Sequence, residues 1–327
     1  MILAGDIGGT KTLLALFELE NNKLIKKKFK RYASKKYKTF DTVMSDFLKD
    51  EKTLPRSAAF GIPGPVVNGK VKSTNLPWVI DEHLQSKKTG IPKIKVVNDL
   101  AATAFAIPFL KDDELIEIKK GAADRDSERF AVIAPGTGLG EAFLLCEEDK
   151  KIVIPSEGGH TDFAPTNKLE TELLLYLKEK FNRVSYERII SGSGMPNIFE
   201  FLVNCRHKKP SKETLNRMET EDKTVVISEM ALKKKDEVCE TTLEIFVSVL
   251  GTHAGNLVMT TMSTGGVYFG GGIPFKILPK LKEGNLVKSF TGKGRLTNLP
   301  GVTPIYVINN NFAALHGAAR IAIENSM

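Results

Sequence analysis

Twice along this chain, about half its length apart, an apolar strand runs into a glycine-rich turn and returns as a second apolar strand. The first copy is Ile2-Leu3-Ala4-Gly5-Asp6-Ile7, then Gly8-Gly9-Thr10, then residues 13–19. The second is Phe130-Ala131-Val132-Ile133-Ala134, then Pro135-Gly136-Thr137-Gly138-Leu139-Gly140, then residues 141–146. Each copy opens a block of mixed strands and helices. That repetition predicts two related α/β domains with a cleft between them. A chain of 327 residues has room for two such cores.

Composition removes several classes. With 42% hydrophobic and 26% charged residues the chain reads as globular. The net charge of +8 raises the question of nucleic acid. Much of the excess sits in short runs such as Lys26-Lys27-Lys28 and Lys233-Lys234-Lys235, with little aromatic interleaving to stack bases. Solvated faces explain it, and no nucleic-acid partner is expected. Asp6 interrupts the opening apolar stretch, unlike a signal peptide, and charges, Gly or Pro break every apolar run before it could span a bilayer. Cys146, Cys205 and Cys239 are widely spaced and show neither disulfide nor zinc spacing. A cytoplasmic protein without a membrane partner is the expectation.

Between the two hairpins, periodicity predicts strands over 24–32, 57–62 and 94–97 and helices over 39–49 and 100–107. Beyond them it predicts an amphipathic helix over 169–181 and weakly patterned helices with a mobile connection within 206–240. A long buried helix is expected over 243–261, strands over 267–269 and 305–308, and a closing helix over 312–323.

The glycine turns fit no standard nucleotide motif. Gly5-Asp6-Ile7-Gly8-Gly9-Thr10-Lys11-Thr12 lacks the glycine that a P-loop places before its Lys-Ser/Thr, and a strand follows it. Gly136-Thr137-Gly138-Leu139-Gly140 has Glu141 where a dinucleotide fingerprint would have its last glycine. Either turn alone is an ordinary hairpin. Together, at the heads of two similar domains, their bare backbone N–H groups can meet a polyphosphate from both sides. Asp6 suits the water shell of Mg²⁺, which takes few carboxylates. Gly270-Gly271-Gly272 ends a strand, where backbone can approach a flat ring or simply turn into a helix.

Asn98-Asp99 ends an apolar strand just before a helix, the usual ligand position in α/β folds. Both residue types also cap helices. A kinase of small hydroxyls needs one carboxylate to accept the hydroxyl proton, and Asp99 is the candidate. Glu157 and His160, separated by two glycines, suit hydrogen bonds to sugar hydroxyls better than a helical metal site. Glu187 has the competing reading of a first-turn acid favoured by the helix dipole.

Taken together these segments resemble the bacterial glucokinase family, within the hexokinase, actin and heat-shock ATPase superfamily. The matching pieces are Gly5-Asp6-Ile7-Gly8-Gly9-Thr10, Gly61-Ile62-Pro63-Gly64-Pro65-Val66, Thr74-Asn75-Leu76-Pro77-Trp78, Val97-Asn98-Asp99-Leu100 and Pro135-Gly136-Thr137-Gly138-Leu139-Gly140. They continue with Ser156-Glu157-Gly158-Gly159-His160-Thr161-Asp162-Phe163-Ala164-Pro165, Glu187-Arg188-Ile189-Ile190-Ser191-Gly192 and Gly271-Gly272-Ile273.

The resemblance implies two RNase-H-like (actin-like ATPase) domains, with mixed sheets flanked by helices. The small domain would be residues 1–108 plus about 305–327, and the large one 109–304. It implies ATP-dependent phosphorylation of glucose to glucose 6-phosphate, with Asp99 as general base and Asn98, Glu157, His160 and Glu187 on the other hydroxyls. The two glycine loops would hold the phosphates of ATP with Mg²⁺, aided by Lys11, and Gly271-Gly272 would lie against adenosine. A homodimer is the family-typical state. Pro274 directly follows Ile273, whereas the family places its proline one residue later, so a reshaped adenosine loop is expected. His253 and His316 stand where the resemblance leads one to expect other residues, and they read as packing or surface changes. The zinc cysteines of the repressor/open-reading-frame/kinase branch are absent. The competing readings are a kinase of another hexose, or a non-catalytic sugar- or ATP-binding sensor or regulator. Because the glycine loop starts at Gly5, the DNA-binding domain that such a regulator carries ahead of its core is not expected.

Overall fold

The computed structural model describes residues 1–21, 23–73, 76–122, 128–148 and 150–326. Thr74 and Asn75 of one matching segment, and Asn22 of an expected turn, lie outside them. The chain divides into two compact units, one of Met1–Glu114, Glu148–Pro155 and Asn310–Met327, the other of Leu115–Glu147 and Ser156–Asn309.

In the first unit the opening hairpin forms as its alternation predicts. Strand β1 (Ile2–Ile7) pairs antiparallel with β2 (Lys11–Glu20), which pairs antiparallel with β3 (Lys23–Ala33). On the other side β1 runs parallel to β4 (Ser57–Ile62). A small ribbon, β5 (Lys70–Lys72) with β6 (Val79–Asp81), leads on to β7 (Lys93–Asn98), which is parallel to β4. The sheet order is β3-β2-β1-β4-β7. A strand buried on both faces reads as a nearly unbroken apolar run, and β1 and β4 do.

Alternate β1 residues feed two cores. Leu3 and Ile7 pack with Phe40, Val43 and Phe47 of the helix Phe40–Leu48 and with Trp78. Ile2 and Ala4 pack with Ala102, Leu315, Ala318 and Ala319. The second core is made of small residues because two helices crowd there. An ideal Cβ on Gly317 of the helix Ala313–Glu324 would lie 1.7 Å from the Ala102 carbonyl oxygen. Glycine is therefore required where that helix crosses the helix Asp99–Ala106.

The second unit holds β8 (Leu115–Lys119), β9 (Arg129–Pro135) and β10 (Leu139–Glu147). Strand β11 (Lys150–Ser156) follows, and its residues up to Pro155 group with the first unit. Then come β12 (Gly266–Phe269) and β13 (Ile305–Ile308). The order β10-β9-β12-β13-β8 is mixed: β9, β12 and β13 are parallel, and β10 and β8 run antiparallel to their neighbours. Helices Lys168–Phe181, Gly194–Asn204, Lys223–Leu232 and Glu237–Thr261 supply most of its core.

The last of these helices begins at Glu237, ahead of the expected residue 243. Asp236 caps it, accepting bonds from the Val238 and Cys239 N–H groups at 2.8 and 3.1 Å. The segment before it forms the helices Lys212–Met218 and Lys223–Leu232. By length and composition Glu237–Thr261 could cross a membrane, but 78% of its most apolar window is buried in the core.

Candidate active site

The first glycine turn is tightly pinned. Gly8 N–H donates to the Lys11 carbonyl at 2.8 Å, Ser34 Oγ donates to the Gly8 carbonyl at 2.7 Å, and Ser34 N–H donates to the Thr10 carbonyl at 3.1 Å. Gly5, within β1, sits against the ring of Phe60, whose Cδ1 would lie 2.7 Å from an added Cβ. Ile7 is buried in the core, while Thr10 is exposed at the tip and Gly8 and Gly9 are half-buried.

Asn98 and Asp99 reach the same end of the sheet as Asp6. Asn98 Oδ1 accepts from Leu100 and Ala101 N–H at 2.9 and 3.3 Å, so it does cap the helix, and its Nδ2 donates to the Gly64 carbonyl at 3.3 Å. Asp99 is the first helical residue, and its Oδ1 accepts from Leu100 N–H at 2.9 Å. The helix start can come this close to β4 because Gly61 carries no side chain. A Cβ there would stand 3.2 Å from Ala102 Cβ and 3.4 Å from Asp99 Cα. Burial pushes the Asp6 carboxyl up to about 6, with the nearby Asp99 charge adding to the rise and Lys11 opposing it.

In the second unit one strand organises the remaining polar residues. Gly136 N–H donates to the Gly138 carbonyl at 2.8 Å, closing the second turn, and Gly192 N–H donates to the Gly136 carbonyl at 2.7 Å. Leu139 N–H, at the start of β10, donates to Glu187 Oε2 at 2.9 Å. The segment 157–160 lies on the same strand. An ideal Cβ on Gly159 would be 2.1 Å from the Leu139 carbonyl oxygen, and one on Gly158 would be 2.1 Å from Glu141 Oε2. Two glycines are what let this turn descend onto β10. It leaves Glu157 and His160 exposed, with His160 Nδ1 3.9 Å from Glu187 Oε1.

Asp162 and Arg183 hold the two segments together. Arg183 Nε donates to Asp162 Oδ1, and its Nη2 to the His160 carbonyl, both at 2.7 Å. Tyr186 N–H donates to the Thr161 carbonyl at 3.1 Å. Glu187 is thus tied by its carboxylate to β10, beyond the helix-start role its sequence position suggested.

A cavity of about 430 Å³ opens beside the second turn, bounded by Gly136, Thr137, Ser193, Thr224, Ile273 and Lys276. Gly271, at φ +80°, turns β12 into the short helix Gly272–Lys276, in which Pro274 is buried and Phe275 exposed. Gly271 has its own structural reason, since a Cβ would lie 2.8 Å from the Pro135 carbonyl oxygen. Gly136 and Gly272 have none: a Cβ on either would meet nothing within 4 Å.

The fold therefore gathers Gly5 to Thr10, Asn98 and Asp99 in one unit. It gathers Gly136 to Gly138, Glu157, His160, Glu187, Gly271 and Gly272 in the other. Sequence reasoning missed Asp162, Arg183 and the cavity residues Ser193 and Thr224. It also read His253 without a partner. The structure buries it against Glu141, whose position within an apolar stretch of β10 was the available signal. His316 packs half-buried against Phe17 in the first unit.

A family model for glucokinases matches residues 3–325. The glucokinase of Nostoc punctiforme is 36% identical, and the match covers 98% of each chain. That of Photorhabdus laumondii is 33% identical over 97% of this chain and 95% of its own. Among solved structures, the glucokinase from an Antarctic psychrotroph superposes with a TM-score of 0.88 at 29% identity, covering 99% of this chain and 98% of that one. A glucokinase of the repressor/open-reading-frame/kinase family from Streptomyces griseus, solved with glucose and AMPPNP, shares the fold at 18% identity, a TM-score of 0.63 and 99% coverage of both chains. On this full-length match the chain belongs to the glucokinase family.

Proposed function

We propose that this glucokinase transfers the γ-phosphoryl group of ATP to the 6-hydroxyl of glucose with Asp99 as the general base. The hydroxyl oxygen bonds to the γ-phosphorus, the bond from that phosphorus to the β–γ bridging oxygen breaks, ADP leaves, and the hydroxyl proton passes to the Asp99 carboxylate. Asn98, Glu157, His160 and Glu187 hold the other hydroxyls. A site that pairs with specific hydroxyls rejects an epimer because a buried polar group would lose its partner.

The observation that carries this reading is the turn 157–160 on β10. It brings the exposed Glu157 and His160 to the same strand that holds the half-buried Glu187, each with polar atoms to offer a polyhydroxylated ligand. The adenosine of ATP goes to the cavity at Gly136 and Ile273, whose volume suits such a ligand. The open space at Gly136 and Gly272 supports that placement. The glucose and AMPPNP held by the Streptomyces griseus protein support the same pair of ligands.

Among the described residues no three His, Cys, Asp or Glu side chains gather into a protein-built metal site. Mg²⁺ needs none, since it takes one or two carboxylates with waters and substrate phosphates. Asp6, whose charge is disfavoured by burial and by Asp99, fits that requirement. It would hold Mg²⁺ through the ion's water shell, and the ion would neutralise charge on the phosphates. We further propose a cytoplasmic location, tested by cell fractionation, and a homodimer, tested by light scattering.

The experiment is a coupled assay for glucose 6-phosphate with a panel of hexoses, with ATP or polyphosphate as donor, and with Asp99→Asn alongside. Glucose-selective turnover with ATP, reduced ~10²–10⁴-fold in the folded variant, is expected. Comparable rates for variant and parent would remove Asp99 from the role.

A further inference from the structure

Below the turn 157–160 lies a buried ionisable pair that no step above uses. Glu141 comes from β10 and His253 from the helix Glu237–Thr261, and they are 1% and 2% exposed. His253 Nε2 and Glu141 Oε1 are hydrogen-bonded. Among the described residues, Glu141 Oε2 and His253 Nδ1 have no hydrogen-bond partner. A buried pair of this kind adds little to stability, because an apolar pair of equal volume is often as stable or more so. A role in fixing geometry accounts for such an arrangement where stability alone does not.

What the pair touches indicates that role. Glu141 Oε2 lies directly under Gly158, between Glu157 and His160 in sequence, at 2.1 Å from the site of an absent Cβ. The His253 ring lies 3.9 Å, centroid to centroid, from the ring of Tyr186, the residue before Glu187. Two positions earlier on the same face of β10, Leu139 binds Glu187 and supports Gly159. One hydrogen bond therefore ties the strand beneath one sugar-facing segment to the helix beneath the other.

We propose that Glu141 and His253 form a positioning pair that fixes the spacing between the turn carrying Glu157 and His160 and the residue Glu187, and so sets affinity for glucose. This rests on the reading that those three residues hold the sugar. A hydrogen bond fixes distance and direction between two elements, whereas apolar side chains of the same volume fill the space and allow the elements to slide.

The test compares the double variant Glu141→Leu/His253→Phe with Glu141→Gln, and with Glu157→Gln and His160→Gln as references. The double variant leaves no buried charge unpaired, so its melting midpoint should stay near the parent's. Its KM for glucose should rise about tenfold, the equivalent of one lost hydrogen bond to a sugar hydroxyl, with KM for ATP unchanged. Glu141→Gln, still able to pair with the imidazole, should restore most of the glucose affinity. A double variant with parent-like KM for glucose, while the references raise it, overturns the inference and leaves the sugar site standing. Unchanged KM in the references overturns the sugar site itself. Should the double variant not fold, Glu141→Asp carries the test. It keeps the carboxyl group but shortens its reach, so a rise of about threefold in KM for glucose is expected, and parent-like affinity refutes the pair's role.

Discussion

Replacing Gly159 by alanine asks whether the descent of the turn onto β10 matters to catalysis. The added Cβ would start 2.1 Å from the Leu139 carbonyl oxygen and 3.0 Å from Leu139 Cβ. Contacts closer than 3.0 Å are essentially never adopted by a real Cβ, so something must move by about 1 Å. The strand is the stiffer partner, because Leu139 is paired with Pro135 of β9 and its N–H holds Glu187. The turn therefore lifts, carrying Glu157 and His160 with it. Overpacking of this kind costs about 1–3 kcal/mol. A displacement of about 1 Å at a reacting geometry costs ~10²-fold in rate, or about 2.7 kcal/mol of transition-state stabilisation. The assay is kcat/KM for glucose at saturating ATP, read beside a thermal melt. The expected result is a folded protein, lower in melting midpoint by several degrees, with kcat/KM down about a hundredfold. Parent-like kcat/KM in that variant would show that the turn's height over β10 does not set the sugar site.

Two further outcomes follow from other positions. Gly136→Ala places its Cβ in open space, so the melting midpoint should hold while KM for ATP rises severalfold; unchanged KM for ATP would remove the second glycine turn from nucleotide binding. Asp236→Ala removes the acceptor of the Val238, Cys239 and Ser211 N–H groups and of the Thr214 hydroxyl, and should destabilise by about 1–2 kcal/mol in urea at neutral pH. Burial alone would raise the Asp236 carboxyl, but those bonds hold it below the ordinary aspartate value. Its contribution is thus complete above about pH 3.9 and lost as pH falls through the lowered native value. The gap between parent and variant midpoints should therefore narrow in acid; a constant gap would show that the carboxylate's charge contributes nothing.

The parts of this protein that were legible in its sequence are those written in local pattern. The strands around Gly8-Gly9-Thr10 and around Gly136-Thr137-Gly138 announce themselves by apolar runs broken by glycine. Asn98 was legible as a cap, and the structure gives it that role together with a bond to the Gly64 carbonyl. The start of the long helix was missed because the first turns after Asp236 mix Glu237 and Glu240 with Val238 and Cys239, and only the capping geometry marks the boundary. The pairing of Glu141 with His253 joins positions far apart in the chain, and no spacing rule connects them. Ser193 and Thr224, at the cavity, belong to segments whose residues are unremarkable until the fold brings them beside Gly136.

The close crossing at Gly317 has a consequence for the order in which the molecule can be made. The helix Ala313–Glu324 fills one face of the opening sheet and lies against the helix that begins at Asp99. It is synthesised after the whole of Ser156–Asn309, the bulk of the second unit. The unit that leaves the ribosome first therefore waits with part of an apolar, alanine-lined sheet face uncovered while the later unit acquires all its residues. The core around Phe40 and Trp78 can close early, but the alanine-rich core behind the same sheet waits for the last helix, and the support beneath Asp99 is among the last to be assembled.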